Sequence, residues 1–258
     1  MGDRVICSNA IPKGYDGQCY STWGGFAEYG IAGDYCALVD DGQSFDGEFS
    51  YRKRYIANYK IDNTLPIDKA GVVFPLAETA SSVMQTPEIK GKDVAVFGTG
   101  FAGYTLAIFA QKMGANSVTI FGKRQSRLEL ANEIGLENAR LYDQAFLETN
   151  KYDVVFEATG KSDVFARGIT FLRENGCIVI HGAYVEPYQF DLSKTPTNYH
   201  IRTVNPNVNE ALDYVQDLIR NEKLPIDKLL THVYEFSQME KALKQVKDGE
   251  VVKGLIKF

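Results

Sequence analysis

Between about residues 90 and 210, short runs of consecutive apolar residues alternate with stretches where apolar residues recur every three or four positions. Val94-Ala95-Val96-Phe97, Val118-Thr119-Ile120-Phe121, Val154-Val155-Phe156 and Cys177-Ile178-Val179-Ile180 are of the first kind. Such runs predict strands buried on both faces. Arg140-Leu141-Tyr142 and His200 to Val204 predict two weaker strands. The stretches between them read as helices. One, over Tyr104 to Met113, carries Leu106, Phe109, Ala110 and Met113 on one face. A second starts at Ser126-Arg127-Leu128-Glu129, which fits a capping box. A third spans Ser162 to Arg173 and is ended by Asn175-Gly176, and a fourth covers Asn209 to Asn221. Strands alternating with helices predict an α/β fold: a doubly wound parallel sheet with helices on both faces.

The flanks have another texture. Pro66 to Gln85 reads as one helix with Ala70, Val73, Leu76, Ala77, Ala80 and Val83 on its apolar face, kinked at Pro75. Earlier, Arg4 to Cys7, Gly24 to Ile31 and Asp34 to Val39 read as strands between loops. Tyr51 to Lys60 is basic and aromatic, a surface strand or an insertion. At the other end come a strand at His232 to Phe236, a capping box at Ser237-Gln238-Met239-Glu240, a helix to about Lys247 and a strand at Val251 to Phe258.

The first buried run leads straight into Gly98-Thr99-Gly100-Phe101-Ala102-Gly103 and then into a helix. This is the order a dinucleotide-binding crossover needs. Gly98 permits the tight turn, Gly100 lets the backbone approach a pyrophosphate, and Gly103 lets helix and strand pack closely. The free N–H groups at the helix start then face the phosphates. Thr159-Gly160 and Gly182-Ala183 follow later strands, where a doubly wound sheet holds the ribose and nicotinamide.

Composition narrows this picture. The 258 residues allow one large or two small domains, and 45% hydrophobic content supplies a sizeable core. A formal net charge of -5 without a basic stripe argues against nucleic acid as partner. No apolar run approaches the roughly 20 residues of a membrane helix. Four cysteines, at 7, 19, 36 and 177, form no CxxC pair, so no compact zinc knuckle is visible and a reducing, cytoplasmic setting is expected. Fifteen tyrosines and fifteen phenylalanines are read as core packing. No tyrosine has a lysine four positions on, which argues against a short-chain dehydrogenase.

These landmarks together resemble the medium-chain dehydrogenase/reductase family, whose zinc members include alcohol and polyol dehydrogenases. The matching stretches are GDRV at 2–5, GGFAEY at 24–29, FPLAETASSV at 74–83, VFGTGFAG at 96–103, VFEATG at 155–160 and GEVVKGLIKF at 249–258. The resemblance implies a partial GroES-like β-rich catalytic domain at 1–75, a Rossmann nucleotide-binding domain at 76–227 and a return to the catalytic domain at 228–258. The family's usual longer N-terminal stretch is missing, which implies a truncated product or a short member. Truncation would leave open strand edges, hence self-association or disorder within residues 1–60.

Zinc is not expected. The family's first catalytic ligands come from the missing stretch, and a further one sits just before Pro75-Leu76, where Phe74 cannot bind metal. Glu78 reads as a helix-surface carboxylate, and Cys7 with Cys19 are too few for a structural-zinc loop. NAD users place an acid at the end of the second strand. Here that position is Gly122, followed by Lys123, Arg124 and Arg127, so NADP(H) is expected over NAD. The alternative is that these cations are solvated loop charges. Lys253 aligns with a basic residue that in some members contacts the cofactor pyrophosphate; otherwise it is an exposed lysine. The resemblance implies a cytoplasmic homodimer that transfers hydride to or from a small alcohol or carbonyl compound, polyol or sugar-like. The alternative is a truncated, non-catalytic NADP-binding module. No catalytic residue is assigned; His181, Tyr184 and Glu78 are candidates near the nicotinamide end.

Overall fold

The structure is a computed structural model that describes residues 4–6, 40, 42, 59–143, 149–183 and 187–258. The strands expected at 24–31 and 34–39 lie outside these residues, as does most of the basic run at 51–60. So does most of the 1–60 stretch for which self-association or disorder is expected. In chain order the described elements are β1 (Arg4–Ile6), β2 (Tyr59–Ile61), α1 (Ile67–Ala70), α2 (Val73–Met84), β3 (Asp93–Phe97), α3 (Phe101–Lys112), β4 (Ser117–Gly122), α4 (Gln125–Glu133) and β5 (Ala139–Leu141). Then follow β6 (Tyr152–Glu157), α5 (Ser162–Phe171), β7 (Leu172–Ile180), β8 (Tyr199–Thr203), α6 (Val208–Arg220), α7 (Ile226–Leu229), β9 (Leu230–Glu235), α8 (Met239–Lys247) and β10 (Lys253–Lys257).

The chain divides into two compact units. One comprises Pro75–Val215 and Pro225–Leu229. It holds a six-stranded sheet in the order β5-β4-β3-β6-β7-β8, every neighbouring pair parallel. The order reverses between β3 and β6, the switch point of a doubly wound sheet. In β3, Ala95 and Phe97 face one core and Val94 and Val96 the other, all fully buried. Burial on both faces is why these strands read as continuous apolar runs. Part of the aromatic excess packs here. Phe97 lies 5.0 Å from Phe121 and 5.2 Å from Phe171, and Tyr142 and Tyr152 close the cluster edge-on.

The other unit comprises Met1–Phe74, Gln216–Leu224 and Leu230–Phe258. Its described strands form two pairs, β1 antiparallel to β2 and β9 parallel to β10. Asp62, just after β2, pairs with Arg220, and the Asp62 N–H donates to Gln216 Oε1 at 2.7 Å. Arg4 donates to the Leu65 carbonyl.

Four expectations need correction. The helix over 66–85 breaks at Gly71-Val72, not at Pro75. Pro75 sits in the first turn of α2, where its missing N–H costs nothing. The box at 126–129 does not form, because α4 starts one residue earlier. Arg124 is its extended N-cap, and the Arg127 and Leu128 N–H groups bond the Arg124 carbonyl. Helix α5 stops at Phe171, since Leu172 turns extended and already pairs with Tyr152, leaving Asn175 at φ 63 inside an irregular β7. The box at 237–240 gives way to one formed by Glu235 and Gln238 around a 3₁₀ turn, which delays α8 to Met239.

At the N-terminal ends of the strands, Asp93 accepts from Asn116 Nδ2 and Ser117 Oγ at 2.7 Å and from Arg173 at 2.9 Å. Arg173 also pairs with Asp153. The hydrogen bonds from Asn116 and Ser117, then Arg173, hold the Asp93 carboxyl below its ordinary value of 3.8. A depressed carboxyl stabilises the fold above the unfolded value and ceases to do so as pH falls through the folded one. Asp93→Ala is therefore expected to cost about 1–2 kcal/mol at pH 7. In urea melts, the gap from wild type should close as pH drops below 3.8; a gap independent of pH would reject the assignment.

Candidate nucleotide-binding site

The C-terminal ends of β3 and β6 meet at the switch point. Gly98 leaves β3 at φ 123, a conformation closed to most side chains, and its N–H bonds the Phe121 carbonyl at 3.0 Å. On the other side the Ala158 N–H bonds the Phe97 carbonyl at 3.0 Å. The turn is thus held from both neighbouring strands. A β carbon at Gly103 would lie 1.9 Å from the Gly98 carbonyl oxygen, so no other residue fits there. Gly100 is different: nothing lies within 4 Å of a β carbon built on it. It is the extended N-cap of α3, and no side chain caps that helix. The backbone of Gly100, Phe101 and Ala102 therefore presents an open helix N-terminus, where partial positive charge favours an anion.

Beyond β4, Gly122 is buried beneath the side chain of Thr99. Lys123 and Arg124 are exposed, with Lys123 Nζ 5.2 Å from the centre of the Tyr142 ring. Arg127 is placed otherwise. It is buried against Tyr104, whose hydroxyl donates to the Arg127 carbonyl at 2.7 Å. Burial pulls the guanidinium pKa down and pushes the Tyr104 phenol up to about 12. The structure thus groups Lys123 with Arg124 on the surface and sets Arg127 beneath.

The turn after β6 is built around a residue that sequence reasoning passed over. Glu157 is fully buried. Its carboxylate accepts from the Thr159 N–H at 2.6 Å, the Gly160 N–H at 3.1 Å, the Thr159 hydroxyl and the Tyr188 hydroxyl at 2.9 Å. An acid closing an apolar strand just before Thr-Gly was the available signal. Gly182 packs on this turn, and a β carbon there would lie 2.5 Å from the Gly160 nitrogen. Thr159, Gly160 and Gly182 are therefore brought together; Ala183 follows, exposed.

Of the three catalytic candidates, Tyr184 lies outside the described residues. His181 Nδ1 lies 2.9 Å from the hydroxyl of Ser82, which also donates to the main-chain carbonyl of Glu78 at 3.0 Å; the Glu78 carboxylate takes no part in this contact. Which of the two donates across the Ser82–His181 contact follows from the ring tautomer. Burial lowers the His181 pKa from 6.5 to about 4, so the ring is neutral at pH 7. Among the described residues, no group of three or more His, Cys, Asp or Glu side chains could hold a metal ion, and Cys7, Cys19 and Cys36 lie outside them. Lys253, at the start of β10, belongs to the other unit and pairs in register with Leu230. No helix among the described residues is long and apolar enough to cross a membrane.

Comparison with known proteins follows this geometry. Residues 72–258 match the family model described as glucose dehydrogenase C-terminus. The chain is 30% identical to a sorbitol dehydrogenase of Halalkalibacterium halodurans over 99% of its own length and 76% of that protein. It is 27% identical to D-xylulose reductase A of Aspergillus oryzae over 77% of its length, but this covers only 59% of the relative. An alcohol dehydrogenase from Thermus sp. ATN1 superposes with a TM-score of 0.69 at 23% identity, covering 81% of this chain and 63% of that one. The 2R,3R-butanediol dehydrogenase of Bacillus subtilis gives 0.68 at 20% identity, covering 78% and 60%. These structures show the same fold, and the chain spans about three fifths of their length.

The half-buried His181 generates a pH prediction. A base whose folded pKa lies below its unfolded value binds a proton on unfolding, so stability falls as pH drops from 6.5 toward 4. His181→Asn keeps a hydrogen-bonding group toward Ser82 without titrating. It should remove up to about 1.4 kcal/mol per pH unit of slope in that window. Identical pH–stability slopes for variant and wild type would refute this.

Proposed function

Because the chain belongs to the glucose dehydrogenase C-terminus family, among the medium-chain dehydrogenase/reductases, we propose that it binds NADP(H) and serves hydride transfer between the nicotinamide and a small alcohol or carbonyl compound of polyol or sugar-like type. Among its relatives are proteins named sorbitol dehydrogenase and D-xylulose reductase A, which suits that substrate class. The observation that carries the reading is the glycine cradle: Gly103 pressed on the Gly98 carbonyl, with open space over Gly100 at an uncapped helix start.

In this reading the backbone of Gly98, Thr99, Gly100, Phe101, Ala102 and Gly103 holds the pyrophosphate. Lys123 and Arg124 pair with a 2′-phosphate beyond Gly122, with Arg127 adding positive potential from beneath. Thr159, Gly160, Gly182 and Ala183 border the ribose and nicotinamide, and Glu157 keeps the first two in place. The bound nicotinamide supplies the hydride chemistry; the chain's part is position, exclusion of water and polarity. The protein acts in the cytoplasm as a homodimer. The outer edge of β8, exposed along most of its length, is the edge for pairing.

Titration followed by NADPH and NADH fluorescence tests the reading. NADPH is expected to bind tighter, and Arg124→Ala to weaken it about tenfold, the loss of one charge-assisted contact, while NADH binding stays unchanged. Equal losses for both dinucleotides would reject the 2′-phosphate assignment. Absence of binding for either would reject the cofactor reading.

A further inference from the structure

Gly122 stands where an NAD-binding unit carries its acid, and the structure gives a steric reason for it. The residue ends β4 in extended backbone, which any amino acid adopts, so conformation does not demand glycine. Space does. A β carbon on Gly122 would lie 2.4 Å from Thr99 Cγ2, 2.8 Å from Thr99 Oγ1 and 3.2 Å from Leu128 Cδ2. Leu128 Cδ2 ends a flexible side chain and can shift. Thr99 cannot. Its two γ atoms fill two of the three staggered positions about its Cα–Cβ bond. Both filled positions crowd the place of the missing β carbon. Turning the side chain brings a hydrogen into one of them and leaves a heavy atom in the other. Every staggered rotamer of Thr99 therefore leaves a heavy atom in one of the two places 2.4 and 2.8 Å from a β carbon at 122, and a side chain there strains the turn. The Thr99 β carbon lies no nearer than Leu128 Cδ2 at 3.2 Å, so an alanine at 99 removes both of the closest contacts.

We propose that Thr99 determines dinucleotide specificity by occupying the space above Gly122, which bars a carboxylate from the end of β4 and keeps the site open to a nucleotide bearing a 2′-phosphate. This rests on the NADP(H) reading above and deepens it. Specificity here belongs to a pair of residues: an acid at 122 can act only after 99 has been trimmed. An acid accommodated there would accept from the ribose 2′-hydroxyl and repel a 2′-phosphate.

The test is a double-mutant cycle on the full chain, with thermal unfolding and NADPH and NADH titrations as readouts. Gly122→Asp and Gly122→Ala should each lower the melting temperature, since both place a β carbon against Thr99. Adding Thr99→Ala should return each to the melting temperature of Thr99→Ala alone. Thr99→Ala/Gly122→Asp should bind NADH about tenfold tighter than NADPH, whereas Gly122→Asp alone should bind both poorly. The alanine pair decides the steric claim should the aspartate variants fail to fold. Undiminished stability of Gly122→Ala, or losses that simply add in the double variant, would overturn the proposal. So would a refolded Thr99→Ala/Gly122→Asp that still prefers NADPH. Failure of the NADP(H) reading shows separately, as a preference of the unmodified chain for NADH, whatever the thermal cycle gives.

Discussion

The first turn of α3 rests on the end of β3 so closely that no methyl group can enter, because a β carbon at Gly103 would sit 1.9 Å from the Gly98 carbonyl oxygen. Much of the site follows from this contact. It fixes where the helix begins, and hence where the backbone around Gly100 points. It also requires that the turn itself not move, and two hydrogen bonds see to that. The Gly98 N–H reaches β4 at Phe121, and the Phe97 carbonyl receives Ala158 beyond β6. The geometry of an anion site is thereby inherited from the sheet. The sheet in turn is held by Phe97, Phe121 and Phe171, whose rings pack within 5.0 to 5.5 Å of one another.

Polar groups withdrawn wholly or partly from water beside the turn follow the rule that charge there must be matched or given up. Glu157 is matched: two backbone N–H groups and two hydroxyls surround its carboxylate. His181 gives its charge up, because burial favours the neutral ring. Both also hold the backbone in place. The N–H groups of His181 and Gly182 bond the Glu157 carbonyl at 2.9 Å, so the ends of β6 and β7 move as one piece. A ligand over Thr159 and Gly182 would meet a prearranged surface.

The sheet was legible because its strands are buried on both faces and therefore appear as unbroken apolar runs, Val94 to Phe97 above all. The glycine turn was legible because steric demands leave no alternative to glycine at Gly98 and Gly103. Element ends were harder. Ser126 and Ser237 have the right spacing for capping boxes, but the helix at Gln125 and the turn at Phe236 start earlier, so the serines fall inside. Pro75 looked like a break and proved to be a first-turn residue. Arg127 could be grouped with Lys123 and Arg124 by its number, yet helical phase turns it inward against Tyr104. Glu157 was passed over because its place before Thr-Gly marks it only weakly, while its partner Tyr188 lies 31 positions on. Thr99 lying over Gly122 joins residues 23 positions apart, and only coordinates show that contact.

The two units also differ in what holds them. The six-stranded sheet buries large aromatic residues on a continuous core, and that term grows with apolar area. The described strands of the other unit form only two pairs, and isolated pairs are marginal in water. Its ties include the Asp62–Arg220 ion pair, at the surface, where such pairs contribute roughly 1 kcal/mol or less. Phe236 and Phe258 pack on each other with rings 5.0 Å apart while both stay exposed, and Leu243 and Val246 of α8 are exposed too. Local opening follows the weakest packing. The described strands β1, β2, β9 and β10 should therefore open at lower free energy than β3, β4 and β6. The hydrogen bonds that fasten the glycine turn, to Phe121 in β4 and to Ala158 beyond β6, lie within the sheet's own unit.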